Sequence, residues 1–171
     1  MTNDGGRDPK IGLSPEQQHA VEEFTLLRGV APFGPFLDLL PNPELMTRVS
    51  VLGEYLRYRS ALPPHLSEFA ILVTAAHWQQ TFEWDIHVPI ALKAGVQQPV
   101  IDSLWARVPP ADLDSEQQVL YDLCAALHRD HHVPPALRQR AEAILGAAAT
   151  LDAIGICGYY AMLAMVLNSR P

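Results

Sequence analysis

The sequence predicts an all-α protein, a bundle of about eight helices. Helix-start signals, each a capping residue or a proline ahead of an amphipathic run, recur along the 171-residue chain. No segment shows the strict alternation of apolar and polar residues that is typical of a half-buried strand. Apolar residues make up 49% of the chain and charged residues 18%, a composition that suits a compact helical core.

Two helix starts stand out in the N-terminal third. Ser14-Pro15-Glu16-Gln17 combines a capping serine, a proline at the first helical position and a glutamine able to complete a capping box, so a helix is expected over about 14–28. Three prolines and a glycine within residues 30–41 should deny that stretch a long helix. Asn42 then caps a second helix over about 42–60. Its apolar face is predicted to comprise Leu45, Val49, Leu52 and Leu56.

The middle of the chain holds two strongly apolar segments. A helix over about 65–77 follows two prolines and is expected to be mostly buried. A second segment, over about 79–94, contains Pro89, which lacks the N–H that a helix needs. We therefore expect the second helix to bend or break just after His87, and to stop at Gly95.

Four more helices are predicted in the C-terminal half. Proline pairs and capping residues set their expected starts, and apolar periodicity sets their lengths. The expected ranges are 99–107, 115–130, 134–145, and a last helix that follows Thr150 or Asp152 and ends near Asn168.

Composition also limits the partners and the location of the protein. The formal charge of −7 and the lack of a lysine or arginine cluster argue against a nucleic-acid partner. The polar residues 1–12 are expected to be disordered, and residues 13–171 to form a single domain. The longest apolar run, residues 153–167, is too short to span a bilayer, and no leader segment is evident. A cytoplasmic protein without a membrane partner is expected.

The two cysteines give no sign of a shared site in the sequence. Cys124 and Cys157 are far apart, form no CxxC pair, and each lies in an apolar helical pattern. We interpret both as buried structural thiols.

One segment places reactive groups inside an apolar pattern. Gln80, Glu83 and His87 are spaced to share one face of a helix. A carboxylate one turn before an imidazole can fix its tautomer and raise its proton affinity, so the pair suits acid–base chemistry. Glu68 lies among apolar residues and needs a partner if it is buried.

The segment 66–96, LSEFAILVTAAHWQQTFEWDIHVPIALKAGV, resembles the carboxymuconolactone decarboxylase family, which includes the AhpD-type alkylhydroperoxidases; the similarity extends over about 33–168. The AhpD motif reads Glu, eleven residues, Cys, two residues, Cys, three residues, His. Glu68, Gln80, Glu83 and His87 keep that spacing, but no thiol is present. Because peroxidase chemistry at this motif needs two thiols, the resemblance is to the thiol-free decarboxylase branch.

The resemblance implies an activity and a set of roles. It implies an AhpD-like helical homo-oligomer, a trimer or hexamer, acting as a carboxy-lyase on a small carboxylated lactone from aromatic-ring degradation, without a metal or organic cofactor. His87 would be the general acid or the donor to the enolate oxygen. Glu83 would orient His87 or shuttle the proton, and Glu68 would support His87.

Other side chains are weaker candidates. Gln80, Trp84 and His77 could bind the substrate, although Gln80 could equally cap a helix and Trp84 could belong to the core. An arginine is expected to hold a substrate carboxylate, and spacing does not choose among the candidates Arg48, Arg57 and Arg59.

Three features stay open from the sequence. The cluster of His128, His131 and His132 could bind a metal, but a solvated helix end is the favoured interpretation. Tyr159 and Tyr160 could reach the pocket or pack at a subunit contact. As alternatives to a lyase, a peroxidase would depend on Cys124 or Cys157, and a non-catalytic helical binding protein would keep only the fold.

Overall fold

The computed structural model describes residues 12–170, which are all-α as the sequence predicts. The predicted disorder concerns residues that, apart from Gly12, lie outside the described part. Within residues 12–170 there are nine helices and no strand. The helices are α1 (Pro15–Arg28), α2 (Pro35–Leu39), α3 (Pro43–Tyr58), α4 (Pro64–Trp78), α5 (Thr81–Ala94), α6 (Gln98–Trp105), α7 (Ser115–Asp130), α8 (Pro135–Leu145) and α9 (Ala147–Asn168).

The chain divides into two compact units within α3, after Leu52. In the first unit, α1 begins with the predicted capping box, in which Ser14 and Gln17 exchange both hydrogen bonds. Phe24 of α1 packs against Phe36 of α2, with ring centroids 4.6 Å apart. The first unit therefore has its own aromatic contact between short helices. The single domain predicted over 13–171 stays a prediction.

The buried face of α3 differs from the predicted one. Val49 and Leu56 are buried as expected, but Leu45 and Leu52 are 42% and 47% exposed. Met46 is fully buried instead, so the buried stripe runs through Met46, Val49 and Leu56 at helical spacing. The prediction was wrong at Leu45 and Leu52 because several apolar positions on α3 fit a stripe of this period equally well.

Helix α4 is the centre of the second unit. Eleven consecutive residues, from Leu66 to Ala76, are buried, which confirms the prediction of a mostly buried helix. α4 packs against α5, α6, α7 and α9. Side chains on different faces of α4 can therefore take part in more than one buried cluster.

Helix α5 continues through Pro89, so of the predicted bend or break after His87 the break does not occur, and the bend stays a prediction. The proline removes the hydrogen bond to the carbonyl of Asp85. Asp85 and Pro89 are both exposed, so water can satisfy that carbonyl. Gly95, at a φ of 107°, ends the helix as predicted.

Helix α9 begins earlier than the sequence indicates, at Ala147. Asp152 does not cap it. Its carboxylate accepts hydrogen bonds from the hydroxyl of Tyr55 (2.9 Å) and the backbone N–H of Ala61 (2.7 Å), and Thr150 donates to the carbonyl of Gly146. Both polar side chains therefore lie inside the helix and serve other contacts.

By length and composition alone, α9 could cross a membrane, since it has 22 residues and a mean hydropathy of 1.6 over its most apolar window. However, 56% of that window is buried inside the protein. Burial of this kind is also found in the central helix of a soluble bundle.

Candidate active site

Three ionisable side chains from α4 and α5 meet in the core of the second unit. The Nδ1 atom of His87 lies 2.7 Å from Oε2 of Glu68, and its Nε2 atom lies 3.6 Å from Oε2 of Glu83. The side chains of Glu68, Glu83 and His87 are only 9%, 6% and 3% exposed. The imidazole therefore lies between two buried carboxyl groups, one at each ring nitrogen.

The protonation of His87 follows from its burial. Burial lowers the pKa of His87, and the hydrogen bond and charge of Glu68, which favour the imidazolium, only partly offset this effect. The neutral ring then carries its proton on Nδ1, donates it to Glu68, and presents the lone pair of Nε2 to Glu83. A carboxylate does raise the proton affinity of His87, but that carboxylate is Glu68 and not Glu83 as the spacing suggested, and the desolvation of the ring is the larger effect.

Glu83 has the pKa that a proton donor needs near neutral pH. Burial raises the pKa of Glu83 from its usual value to about 7, and the nearby charge of Arg57 acts in the opposite direction. At pH 7 the carboxyl group is therefore present in both protonation states. A group with a pKa near the working pH can both give and regain a proton during turnover.

Arg57 is the arginine that accompanies these acidic groups. Its guanidinium, on α3, interacts electrostatically with Glu68 and Glu83, and its buried Nε has no hydrogen-bond partner among the described residues. The other two candidates form surface pairs, Arg48 with Glu44 and Arg59 with Glu54. Of the three arginines, Arg57 is the one next to the acid–base cluster.

Tyr160 completes the cluster from α9. Its ring is 2% exposed and meets the His87 ring edge-on, with centroids 5.1 Å apart at 89°. Burial raises the pKa of Tyr160 well above its usual range, so the phenol stays protonated and can donate a hydrogen bond. Tyr159 packs edge-on against Tyr160. The sequence left open whether Tyr159 and Tyr160 reach the pocket or pack at a subunit contact, and the contact with His87 brings Tyr160 to the acid–base cluster.

Gln80 and Trp84 have structural contacts at the start of α5. Gln80 caps the helix by accepting the backbone N–H of Phe82 (2.9 Å), and its amide nitrogen donates to Asn168 (2.6 Å). Trp84 is half-buried and packs against Trp105 with centroids 4.7 Å apart. These contacts hold α5 and thereby position Glu83, which follows the cap.

The structure does not bring His77 to the acid–base cluster. Its exposed ring stacks on His128, with centroids 4.8 Å apart and an interplanar angle of 17°. Both rings line a cavity of about 530 Å³ whose lining includes neither glutamate of the cluster nor His87. His77 lies at the opposite end of α4 from Glu68, which explains the separation.

The three histidines of the 128–132 segment do not share one site. His128 is hydrogen-bonded to Thr74 (3.0 Å), His131 takes the left-handed conformation that ends α7, and His132 is exposed. Across residues 12–170 no group of three or more His, Cys, Asp or Glu side chains is arranged to hold a metal ion.

Comparison with known proteins gives one match. Residues 43–121, from the start of α3 into α7, match the model of the Carboxymuconolactone decarboxylase family. The matched range includes all four motif positions, Glu68, Gln80, Glu83 and His87. No curated protein and no solved structure shows a significant match to the chain. The family resemblance seen in the sequence is thus confirmed over residues 43–121.

Proposed function

We propose that this chain, of which residues 43–121 match the model of the carboxymuconolactone decarboxylase family, is a cofactor-free carboxy-lyase acting on a small carboxylated lactone. The observation that carries the proposal is the buried pair of Glu83 and His87, whose nearest side-chain atoms are 3.6 Å apart, and in which burial raises the pKa of Glu83 to about 7. A buried carboxyl group that is half protonated at neutral pH suits the protonation of a carbanionic intermediate.

In the proposed reaction, the carbon–carbon bond to the substrate carboxylate breaks and carbon dioxide leaves. The electron pair passes into the conjugated lactone and gives a dienolate. Protonated Glu83 then donates its proton to a carbon of the dienolate, and a proton from solvent restores the acid. The overall change is the replacement of one carboxylate by one hydrogen, so no oxidant or reductant is consumed.

Arg57 and Tyr160 are proposed to stabilise the negative charges of the substrate carboxylate and of the enolate oxygen. The guanidinium of Arg57 can bind the substrate carboxylate, and its unpartnered buried Nε leaves a donor free for this purpose. The protonated phenol of Tyr160 can donate to the enolate oxygen as charge develops there. Both roles use donors that lie largely out of water, where a hydrogen bond to a charged group is stronger.

His87 is proposed as a positioning residue for Glu83. The sequence favoured His87 as the acid, but its lowered pKa supports giving proton donation to Glu83. Glu68 fixes the imidazole through Nδ1, so that the Nε2 lone pair faces the Glu83 carboxyl group. From this position, a small shift of either side chain would let the O–H of protonated Glu83 donate to Nε2 of His87.

We also propose that the enzyme is a cytoplasmic homo-oligomer, a trimer or hexamer, without a nucleic-acid or membrane partner. In the first unit, Leu26 is 90% exposed beside the exposed Leu27 and Val51, which agrees with a surface covered by another copy. Size-exclusion chromatography with light scattering tests the oligomeric state.

The test of the activity is decarboxylation of carboxymuconolactone, followed as carbon dioxide release. Glu83→Gln should lower kcat by at least about 100-fold, the usual effect of losing a general acid. Asp85→Asn removes an exposed acid from the same helix and should leave kcat unchanged. Wild-type turnover that survives Glu83→Gln would refute the site assignment, and a wild-type protein that decarboxylates no carboxylated lactone would refute the function.

A further inference from the structure

The cavity beside His77 and His128 has the size of a ligand site. Its volume of about 530 Å³ lies between the C-terminal half of α4, α6 with the segment after it, and α7. Pockets for small ligands usually have about 300 to 1,000 Å³. The apolar residues of its wall are Val73, Ala76, Leu104, Val108, Pro109 and Ala125. The cavity can therefore take an organic molecule with a ring-sized apolar body.

The polar part of the cavity wall is cationic. Its polar lining residues are His77, Arg107, Tyr121, His128 and Arg129. No aspartate or glutamate of the described residues lines the cavity. The chain as a whole carries a formal charge of −7, so a wall with cations and without an acid is a local exception. Such a wall attracts an anion that the rest of the surface repels.

The backbone of α4 holds Arg107 at the cavity. Arg107 follows α6 in the left-handed conformation, at a φ of 58°, and its Nε and Nη2 groups donate to the carbonyls of Ala76 (3.3 Å) and His77 (3.1 Å). A helix end carries only about half a negative charge, so these carbonyls do not neutralise the guanidinium. Two of its five N–H groups are used in these bonds, which leaves three for a ligand. Arg129, by contrast, is already paired with Asp130.

The stacked rings of His77 and His128 are fixed from the core. The hydroxyl of the buried Thr74 donates to the carbonyl of Ala70 (2.9 Å), so the imidazole of His128 is the donor in its 3.0 Å bond to Thr74. The two histidine rings lie nearly parallel, at 17°. They add a flat aromatic element to the cavity wall, and such an element favours a planar ring in the ligand.

Two buried thiols lie next to His128 but do not line the cavity. Cys124 and Cys157 are 0% and 3% exposed, which agrees with the sequence interpretation, and their Sγ atoms are 3.3 Å apart. The hydrogen bond of Cys124 above all, and that of His128 in addition, lowers the pKa of Cys157. The Cys157 thiolate therefore balances positive charge on His128, and Arg107 is the main cation that the cavity offers to a ligand.

We propose that this cavity is a ligand site, separate from the acid–base cluster, for a small organic anion in which one carboxylate is joined to an aromatic ring. Arg107 binds the carboxylate, because its planar fork of N–H groups matches the two oxygens. The apolar wall and the histidine stack take the ring. An inorganic anion would leave the apolar wall in water, and a neutral ring would leave Arg107 without a charge partner. The site uses none of the four motif positions and does not depend on the proposed lyase activity.

The imidazole of His77 reports whether the site is occupied. Burial above all lowers the pKa of His77. Three neighbouring cationic groups act in the same direction, namely His128, Arg107 and His131. A carboxylate bound at Arg107 offsets these charges, so it should raise the pKa of His77. By linkage, the anion should bind more tightly as the pH falls through that pKa.

The experiment measures the binding of 2-naphthoate to the full-length chain by titration calorimetry. We expect 2-naphthoate to bind about tenfold more tightly than benzoate, because the larger ring buries more apolar area. The neutral isostere 2-naphthamide should bind about tenfold more weakly than 2-naphthoate, because it lacks the charge. An NMR titration of His77, whose signals are assigned by their loss in His77→Asn, should show a higher pKa with 2-naphthoate bound. Equal affinity for 2-naphthoate and 2-naphthamide, no binding at millimolar concentration, or an unchanged pKa of His77 would overturn the proposal.

Variants locate the bound 2-naphthoate. Arg107→Met should weaken its binding about tenfold, the modest loss expected for a partly exposed cation. Arg48→Met, at an exposed pair on α3, is the matched control and should bind normally. Ala125→Leu removes no polar group, narrows the cavity, and should also weaken binding about tenfold. Arg57→Met, next to the acid–base cluster, should bind normally. Normal binding in both Arg107→Met and Ala125→Leu would overturn the proposal, and loss of binding in Arg57→Met alone would place the ligand at the acid–base cluster instead.

Discussion

His87 donates its Nδ1 proton to Glu68 across 2.7 Å, and this bond joins α5 to the central helix α4 inside the core. The bond satisfies two polar groups that would otherwise be buried without partners. It also fixes the direction of the imidazole, so that the second ring nitrogen faces Glu83 at 3.6 Å. Stability and the orientation of the proposed proton donor therefore depend on the same contact.

Removal of Glu68 should therefore destabilise the fold. Glu68→Ala leaves the Nδ1–H of His87 buried without its acceptor, and we expect a loss of about 2 to 3 kcal/mol in the free energy of unfolding. Glu68→Gln keeps a carbonyl acceptor and should lose less. Glu44→Ala, at an exposed pair with Arg48, should change stability by less than about 1 kcal/mol. Urea denaturation of the variants measures these differences, and equal losses in Glu68→Ala and Glu44→Ala would contradict the prediction.

Glu83 should make the fold less stable as the pH rises. Its folded pKa of about 7 lies above the usual 4.5, so its stabilising effect is complete below pH 4.5 and is lost as the pH rises to about 7. Relative to Glu83→Gln, the wild type should lose about 3 kcal/mol of unfolding free energy between pH 4.5 and pH 8. His87, whose lowered pKa acts in the opposite sense below pH 6.5, is present in both proteins. Parallel stability curves for the two proteins would show that Glu83 does not titrate in this way.

Arg57 should set both substrate affinity and the upper pH limit of activity. Arg57→Met removes the proposed carboxylate donor, and KM should rise by about 10-fold or more. Because the charge of Arg57 lowers the pKa of Glu83, the same variant should shift the alkaline limb of the kcat profile to higher pH. Arg59→Met, at an exposed pair, provides the matched control. An unchanged pH limit in Arg57→Met would argue against coupling between Arg57 and Glu83.

Tyr160→Phe should separate packing from hydrogen bonding in the cluster. The phenyl ring keeps the edge-on contact with His87, so the unfolding free energy should change by less than about 1 kcal/mol. If the phenol donates to the enolate oxygen, kcat should fall by about 100-fold with little change in KM. Steady-state kinetics at pH 7 tests this, and a normal kcat would remove Tyr160 from the proposed mechanism.

The sequence by itself determined most of the helical layout and the motif. The cap at Ser14, the burial of α4 and the end of α5 at Gly95 follow from local rules of capping, periodicity and backbone conformation, which act within a few residues. The spacing of Glu68, Glu83 and His87 was equally visible, and it indicated the family.

Local rules were weaker where water or distant packing decides the outcome. α5 continues through Pro89 at a position where both Pro89 and Asp85, whose carbonyl loses its partner, are exposed to solvent, and the sequence alone does not show this exposure. The buried stripe of α3 was predicted on Leu45 and Leu52, but these side chains are exposed.

Only the tertiary structure decided which distant side chains meet. In the folded chain Arg57 is the one of the three arginines that lies near the acid–base cluster, and Tyr160 contacts His87. His77 lines a separate cavity. Folding also brings Cys124 into contact with Cys157. α7 and α9 pack against α4, and Arg57 of α3 lies near the glutamates of α4 and α5. Packing between distant segments is not encoded in the spacing of residues within any one of them. The pKa values of Glu83 and His87 changed for the same reason, because desolvation exists only once the core has closed around them.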